Sequence, residues 1–446
     1  MKLKTFKLGG VHPPENKMTA DIPVVPIEIP KRVSVIMSQH LGVPAVPKVE
    51  KGDKVKVGTL LGEAKGFISA NIHSPASGTV FKVDGVTDAT GYRKDAVIIN
   101  VEGDEWEEKI DRSETLVKDI KLSPEEIIQR IKECGIVGMG GAAFPTHVKY
   151  MFPEGKTADT LVVNGVECEP YLTSDHRVML ERPDEILIGV SIMMKAGKVD
   201  KALIGIESNK SDAIELLTEK AKDYPGVEIV PLKVQYPQGA EKQLIKALLN
   251  REIPSGKLPL DVGCIVNNIG TALAIYEAVQ KNKPLIERVV TLTGKGLKKG
   301  GNFLIRIGIP AKSMLEKLGE EIPDNTEKLI SGGPMMGKAV NNLDIPVTKG
   351  TSGIVLMSEE EASRNKIQNC IRCSKCVSVC PMGLEPYLLE KLAEKDIFDE
   401  CEAEDIVDCI ECGSCSYTCP SSRQLLDYIR YGKQNVMRIM RERRQQ

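Results

Sequence analysis

Eight of the twelve cysteines in this 446-residue chain fall into two copies of one pattern near the C-terminus. The first copy runs Cys370-x2-Cys373-x2-Cys376-x3-Cys380-Pro381. The second runs Cys409-x2-Cys412-x2-Cys415-x3-Cys419-Pro420. Three cysteines with two residues between neighbours wrap a tight loop around one [4Fe–4S] cube. The fourth, followed by proline, leaves that loop and reaches the other cube. The spacing therefore pairs Cys370, Cys373 and Cys376 with Cys419, and Cys409, Cys412 and Cys415 with Cys380. Zinc ribbons use two C-x2-C pairs per metal, which is a different pattern. A disulfide framework is disfavoured because Met1-Lys2-Leu3-Lys4-Thr5-Phe6 has no hydrophobic signal region. Thiolates kept free for iron point to a reducing, cytoplasmic setting. Two cubes move single electrons, so the remaining residues must supply their origin or destination.

That remainder is too long for one core, and three or four domains are expected. With 41% hydrophobic residues and a net charge of −2, the composition excludes a disordered chain and a nucleic-acid binder. The longest apolar run, Ile186 to Met194, is half the length of about 18 residues that a membrane span needs, and reads as a buried helix.

Residues 1–115 read as β-rich, with apolar runs at Val33–Met37, Thr79–Val83 and Ala96–Val101 between glycine, proline and aspartate turns. From 116 to 284 the pattern is α/β. Leu122–Cys134 reads as an amphipathic helix capped by Ser123, with Glu126 three residues on. Apolar strands at Thr160–Val163, Ala202–Ile206, Glu228–Val234 and Cys264–Val266 alternate with helical stretches, which argues for a parallel sheet covered on both faces. Residues 285–350 return to short strands (Val289–Gly294, Asn302–Ile309) around one helix (Ala311–Leu318), an order that suggests a β-grasp domain. Ser358–Asn369 reads as a polar link to a helical cluster domain at 358–446. There Glu385–Lys395 reads as a helix, and Asp399–Asp408 holds six acids. The segment from 421 onward carries seven Arg/Lys against two acids and reads as a solvated basic helix.

The second informative stretch is Gly135-Ile136-Val137-Gly138-Met139-Gly140-Gly141-Ala142-Ala143-Phe144-Pro145-Thr146-His147-Val148-Lys149. Its glycines let the backbone approach a ligand and aim several N–H groups at it. Phosphate suits such a cradle, above all if a helix starts near Pro145 and Thr146. Gly138-x-Gly140-x-x-Ala143 matches the dinucleotide fingerprint in letters only, because a helix rather than a strand precedes it.

This stretch resembles the flavin loop of the NADH-oxidising flavoprotein subunit of respiratory complex I, G-x-x-G-x-G-G-A-G-F-P-T-x-x-K. Three further motifs follow in the same order. Asn164-Gly165-Val166-Glu167-Cys168-Glu169-Pro170 is similar to N-A-D-E-S-E-P. Tyr236-Pro237-Gln238-Gly239-Ala240-Glu241 is similar to Y-x-x-G-E-E, and Val266-Asn267-Asn268-Ile269-Gly270-Thr271 to V-N-N-V-E-T. Residues Val49–Val55 and Ile72–Val80 resemble a biotinyl/lipoyl-type barrel sandwich. Its carrier lysine position falls at about Phe67, with Lys65 off register, so this domain is expected to be a scaffold and His73 structural. The domain order, with Gly9-Gly10-Val11-His12-Pro13-Pro14 at the start, resembles the RnfC family, the C component of the Rnf complex, which is the ion-pumping ferredoxin:NAD oxidoreductase.

The resemblance implies non-covalent FMN held by Gly138, Gly140, Lys149, Asn164, Glu167, Tyr236, Gly239, Asn267, Asn268 and Thr271. It implies NAD(H) held with help from Phe144, Lys149, Glu169 and Glu241. Val166 and Ala240 replace acids of the complex I pattern. Cys134, Cys168 and Cys264 are expected to pack rather than ligate. The implied protein is a peripheral oxidoreductase subunit on the cytoplasmic side of a membrane complex. It would partner a ferredoxin-like iron–sulfur subunit and pass electrons between NAD(H), FMN and two [4Fe–4S] clusters. A corrinoid reductase of a bacterial microcompartment shares the domain order, and a non-enzymatic electron wire is the alternative from another class.

Overall fold

The computed structural model describes residues 3–363 and 365–445. Two small antiparallel sheets form the N-terminal part. One runs Arg32–Ile36, Arg93–Gly103, Ser77–Thr87, Lys54–Val55; the other runs Val46–Pro47, Leu60–Glu63, Ile72–His73. Inward residues Val33, Val35, Leu61, Ile72, Val97 and Ile99 are fully buried between them. Phe67, at the carrier position, is 62% exposed on the loop between Leu60–Glu63 and Ile72–His73. His73 is buried instead, and burial pushes its imidazole down to about 3.

Helix Pro124–Glu133 opens the α/β part with the expected reciprocal cap. Ser123 Oγ accepts from Glu126 N at 3.3 Å, and Ser123 N donates to Glu126 Oε2 at 2.7 Å. Four parallel strands follow, in the order Val227–Leu232, Ala202–Glu207, Thr160–Asn164, Cys264–Asn268. Helices Pro183–Gly197 and Ile269–Lys281 cover one face, and Glu241–Leu249 covers the other. Both faces being covered explains the continuous apolar runs of these strands. Strand order reverses between Thr160–Asn164 and Cys264–Asn268. The carboxyl ends of that pair are where open α/β sheets take ligands.

The third part is a six-stranded mixed sheet: Val24–Pro26, Gly301–Arg306, Glu287–Thr293, Gly353–Ser358, Thr326–Ser331, Lys338–Val340. It recruits strands from outside 285–350 at both ends. Gly353–Ser358 is a buried apolar strand between two others, and the polar link begins only with the short helix Glu359–Ala362. Phe303, Ile305, Val290 and Leu292 share one core with the N-terminal sheets.

Helices Pro386–Glu394, Phe398–Ala403 and Leu425–Gln445 pack Leu389, Leu392, Ile406, Leu425, Ile429 and Val436 into the cluster lobe. Gly432 permits the closest crossing, since a Cβ there would lie 2.7 Å from Ala393 Cβ. The basic helix is not solvated all round. Arg443 pairs with Glu402 at 2.7 Å and Asp399 at 3.0 Å, so it lies against the acidic stretch.

The N-terminal segment straps these parts together. Lys4 bridges to Leu232, Gly10 N donates to Val379 O at 2.9 Å, and Val11 pairs with Tyr236. Lys17 Nζ donates to the carbonyls of Glu167, Glu169 and Leu172 at 2.8, 2.9 and 2.6 Å. Val24–Pro26 then enters the six-stranded sheet beside Gly301–Arg306.

Candidate functional site

The four motifs converge at the strand-order reversal. Asn268 ends its strand and caps helix Ile269–Lys281, its Oδ1 accepting from Gly270 N at 2.9 Å and Thr271 N at 3.3 Å. Thr271 Oγ1 accepts from Met139 N at 2.9 Å, which ties the glycine loop to that helix start. Gly140 lies so close that a Cβ would sit 3.3 Å from Asn268 Cβ, while Gly141, at φ +132°, opens onto free space. Gly138 N donates to Phe144 O at 2.8 Å and closes the loop. Half-buried Phe144 follows the left-handed Ala143. Asn267 gives Nδ2 to Tyr150 Oη at 2.8 Å and leaves its buried Oδ1 without a partner among the described residues.

The expected helix after Pro145 is a single 3-10 stretch, Thr146–Tyr150, without a side-chain cap. Five residues cannot build the dipole of a full helix, so the glycine loop is left to provide N–H groups here. Lys149 Nζ donates to Val266 O at 2.6 Å. Burial lowers the Lys149 ammonium's pKa, and Glu241 opposes that. Burial raises the Glu241 carboxyl, which Lys149 and Lys242 pull back.

Other motif residues are engaged with the protein itself. Asn164 Nδ2 donates to Gly239 O at 2.8 Å. Gly239 N donates to Cys168 Sγ at 3.3 Å. The Glu167 carboxylate accepts from Asp175 N at 2.7 Å and His176 N at 3.2 Å, so it caps helix Ser174–Glu181. Glu169 accepts from Met335 N at 3.0 Å and Met336 N at 2.8 Å, joining its loop to the six-stranded sheet. Burial pushes the Glu169 carboxyl up to about 7 against those two N–H bonds.

The motif cysteines gather in two groups. Cys380, Cys409, Cys412 and Cys415 line one cavity with Pro381, Leu389, Ile410 and Leu426. Four thiols in an apolar shell, three of them only 8% exposed, fit a [4Fe–4S] cube. Burial raises the Cys376 thiol's pKa, and nearby Cys419 and Cys370 add to that rise. Cys373 of that set is exposed. The first cavity abuts the flavin motifs. Tyr236, 2% exposed, donates its hydroxyl to Cys412 O at 2.8 Å, and Gln243 Nε2 donates to Pro381 O at 3.1 Å.

Comparison with known proteins agrees region by region. Residues 4–104 match the RnfC barrel sandwich hybrid domain, 131–277 the Nuo51 FMN-binding domain and 369–423 the 4Fe-4S dicluster domain. The C component of the proton-translocating ferredoxin:NAD(+) oxidoreductase complex of Clostridium ljungdahlii is 47% identical over 97% of this chain and 94% of its own length. Its counterpart in the Na(+)-translocating complex of Acetobacterium woodii is 42% identical, over 98% of both. The chain belongs to the RnfC family.

In this family member the sequence motifs leave several charged residues of the site unmarked. Lys17 comes from the N-terminal strap. Glu207 and Lys210 lie buried 3.8 Å apart at the end of the neighbouring strand, with Lys210 Nζ donating to Val166 O at 2.8 Å. Arg288 reaches in from the six-stranded sheet. Lysines and arginines outside a motif carry no local signal, since they look like any surface charge until the chain is folded.

Proposed function

We propose that this RnfC-type protein sits at the cytoplasmic face of a membrane-bound ion-translocating ferredoxin:NAD oxidoreductase and links NAD(H) to two [4Fe–4S] sites through FMN. Among the described residues no helix is long and apolar enough to cross a membrane, which suits a peripheral subunit. The observation that carries the reading is the Tyr236–Cys412 hydrogen bond: one residue belongs both to a flavin motif and to the wall of a cluster site.

Bound FMN would exchange hydride with NAD(H) and single electrons with iron–sulfur sites, converting two-electron into one-electron chemistry. The chain's own residues hold, orient and exclude water. Gly138, Gly140 and Gly141 admit a ligand to the backbone, and Asn267 Oδ1 is a free acceptor for the mixed donor–acceptor edge of a flavin. Asn164, Glu167, Tyr236, Gly239, Asn268 and Thr271 keep the walls in register. Phe144, Lys149, Glu169 and Glu241 are the residues we assign to NAD(H). Cys409, Cys412, Cys415 and Cys380 form the inner set. Cys370, Cys373, Cys376 and Cys419 form the outer set, and on the exposure of Cys373 we assign to it the exchange with a ferredoxin-like partner. We also assign the six-stranded sheet to a β-grasp-like domain, on its single helix Ser313–Leu318 and mixed strand order.

Titrating the anaerobic protein with NADH should bleach the flavin absorbance stoichiometrically. Flavin that stays oxidised would refute the reading. Lys149→Ala should lower flavin or NADH affinity and leave the iron content unchanged.

A further inference from the structure

Arg288 lies on strand Glu287–Thr293, outside the stretch that holds every flavin motif, yet its guanidinium ends in the glycine loop. It is 3% exposed. Nη2 donates to Met139 O at 3.4 Å, Nε to Val289 O at 3.3 Å, and Nη1 to Lys349 O. A guanidinium has five N–H donors. Three are met in this way, so two stay unassigned among the described residues, in a place closed to bulk water. No carboxylate of the described residues lies within ion-pair distance of it. The acid whose field it feels is Asp175.

An arginine buried with spare donors and no ion partner is costly, and such a cation persists where an anion is to be met. The surroundings say which anion. Gly138 N and Met139 N are already engaged, so the loop offers the N–H groups of Gly140 to Ala143, and it has no cation of its own. Lys149 is turned to Val266 O instead. Gly350 folds the Thr348–Thr351 turn over the loop, its Cβ position 3.4 Å from Gly141 O. Burial, and after it Glu167, raise the pKa of the Asp175 carboxyl, which weakens its ability to offset that charge.

We propose that Arg288 is the phosphate-binding cation of the flavin site, contributed by the six-stranded sheet rather than by the α/β domain. A planar, permanently charged fork with two free N–H groups suits a phosphomonoester, and the glycine N–H groups complete the shell. This rests on the reading that the site takes FMN. It adds which residue reads the phosphate, and makes the two domains joint owners of the site.

The test uses the full chain stripped of flavin and titrated anaerobically with FMN and with riboflavin, which lacks the phosphate, following flavin fluorescence. Wild type should bind FMN more tightly than riboflavin. Arg288→Gln should lose about 10- to 100-fold in FMN affinity, as for a hydrogen bond to a charged group, and keep riboflavin affinity within about twofold. Arg288→Lys, which keeps the charge but not the fork, should fall between, and covers the case in which the glutamine variant does not fold. Inorganic phosphate should compete with FMN in wild type and lose that effect in the variants. An equal loss for both flavins in the lysine variant, or an FMN preference that survives undiminished in either variant, overturns the assignment of Arg288 while leaving the flavin reading intact. Wild type that binds neither flavin overturns both.

Discussion

Cys412 lies beneath Val11 and Tyr236 with its backbone carbonyl hydrogen-bonded, whereas Cys373, in the same position of the other motif, faces solvent beside a 66% exposed Ile371. The spacing of the two sets is identical, so ligand chemistry cannot account for the contrast. The inner set is walled by the strap, by the flavin motifs and by Lys433, which donates to Cys409 O at 2.6 Å. In the outer set Cys376 and Cys419 pack against the apolar residues of the cluster lobe itself. Spacing decides how four thiolates meet a cube, and distant parts of the chain decide how wet that cube is. Exposure and hydrogen bonding tune cluster potentials, so one motif used twice can give two unlike sites.

The comparison breaks first at the ligands. The anaerobic protein should carry about eight irons per chain. Cys412→Ser and Cys373→Ser should each bring that to about four, because each removes one cube. Only the inner substitution should also lower the melting temperature by many degrees, since that cube fills the seam between two lobes. Equal losses would mean that the outer set is as structural as the inner. Crossed ligation sharpens the point. EPR should show Cys380→Ser perturbing the set of Cys409, Cys412 and Cys415, and Cys419→Ser perturbing the other.

A smaller effect is expected at the seam itself. Tyr236→Phe strands Cys412 O without its donor, a cost of about 1–2 kcal/mol. It should alter the EPR spectrum of the inner set alone, and a change in the outer set would show that the two are not insulated. Least of all, Arg443→Ala should cost under about 1 kcal/mol, an amount that disappears at high salt, because its pairs with Asp399 and Glu402 lie at the surface. Urea denaturation at two ionic strengths reads this out.

Much of this arrangement is written locally. The cysteine spacing, the Ser123–Glu126 cap and the unbroken apolar strands each need only a few neighbouring residues to be read. What escapes is what depends on residues far apart. Val24–Pro26 is too short to announce a strand, and its partner Gly301–Arg306 comes some 280 residues later. Gly353–Ser358 falls between the expected domain end at 350 and the polar link that starts at Ser358, and shows as a strand only once its two neighbours in the sheet are known. Glu167 and Glu169 sit in a flavin motif, and nothing in that motif tells that one caps a helix and the other holds the backbone of Met335 and Met336. Pro145 signals a helix start correctly, but no residue nearby limits that helix to five residues.

The N-terminal strap has a consequence for how the molecule is made. Gly10 leaves the ribosome well before its partner Val379, which follows 369 positions later (379 − 10). At about 5–20 residues per second, the strap waits roughly 20–70 s for the far side of its seam. The barrel sheets and the parallel sheet can form meanwhile, each from nearby sequence. The inner cluster site cannot, because its wall includes residues from both sides of that separation. Iron loading at that site therefore waits until Val379 and the second cysteine motif have been made, and a nascent chain must keep Gly9, Gly10 and Val11 uncommitted until then.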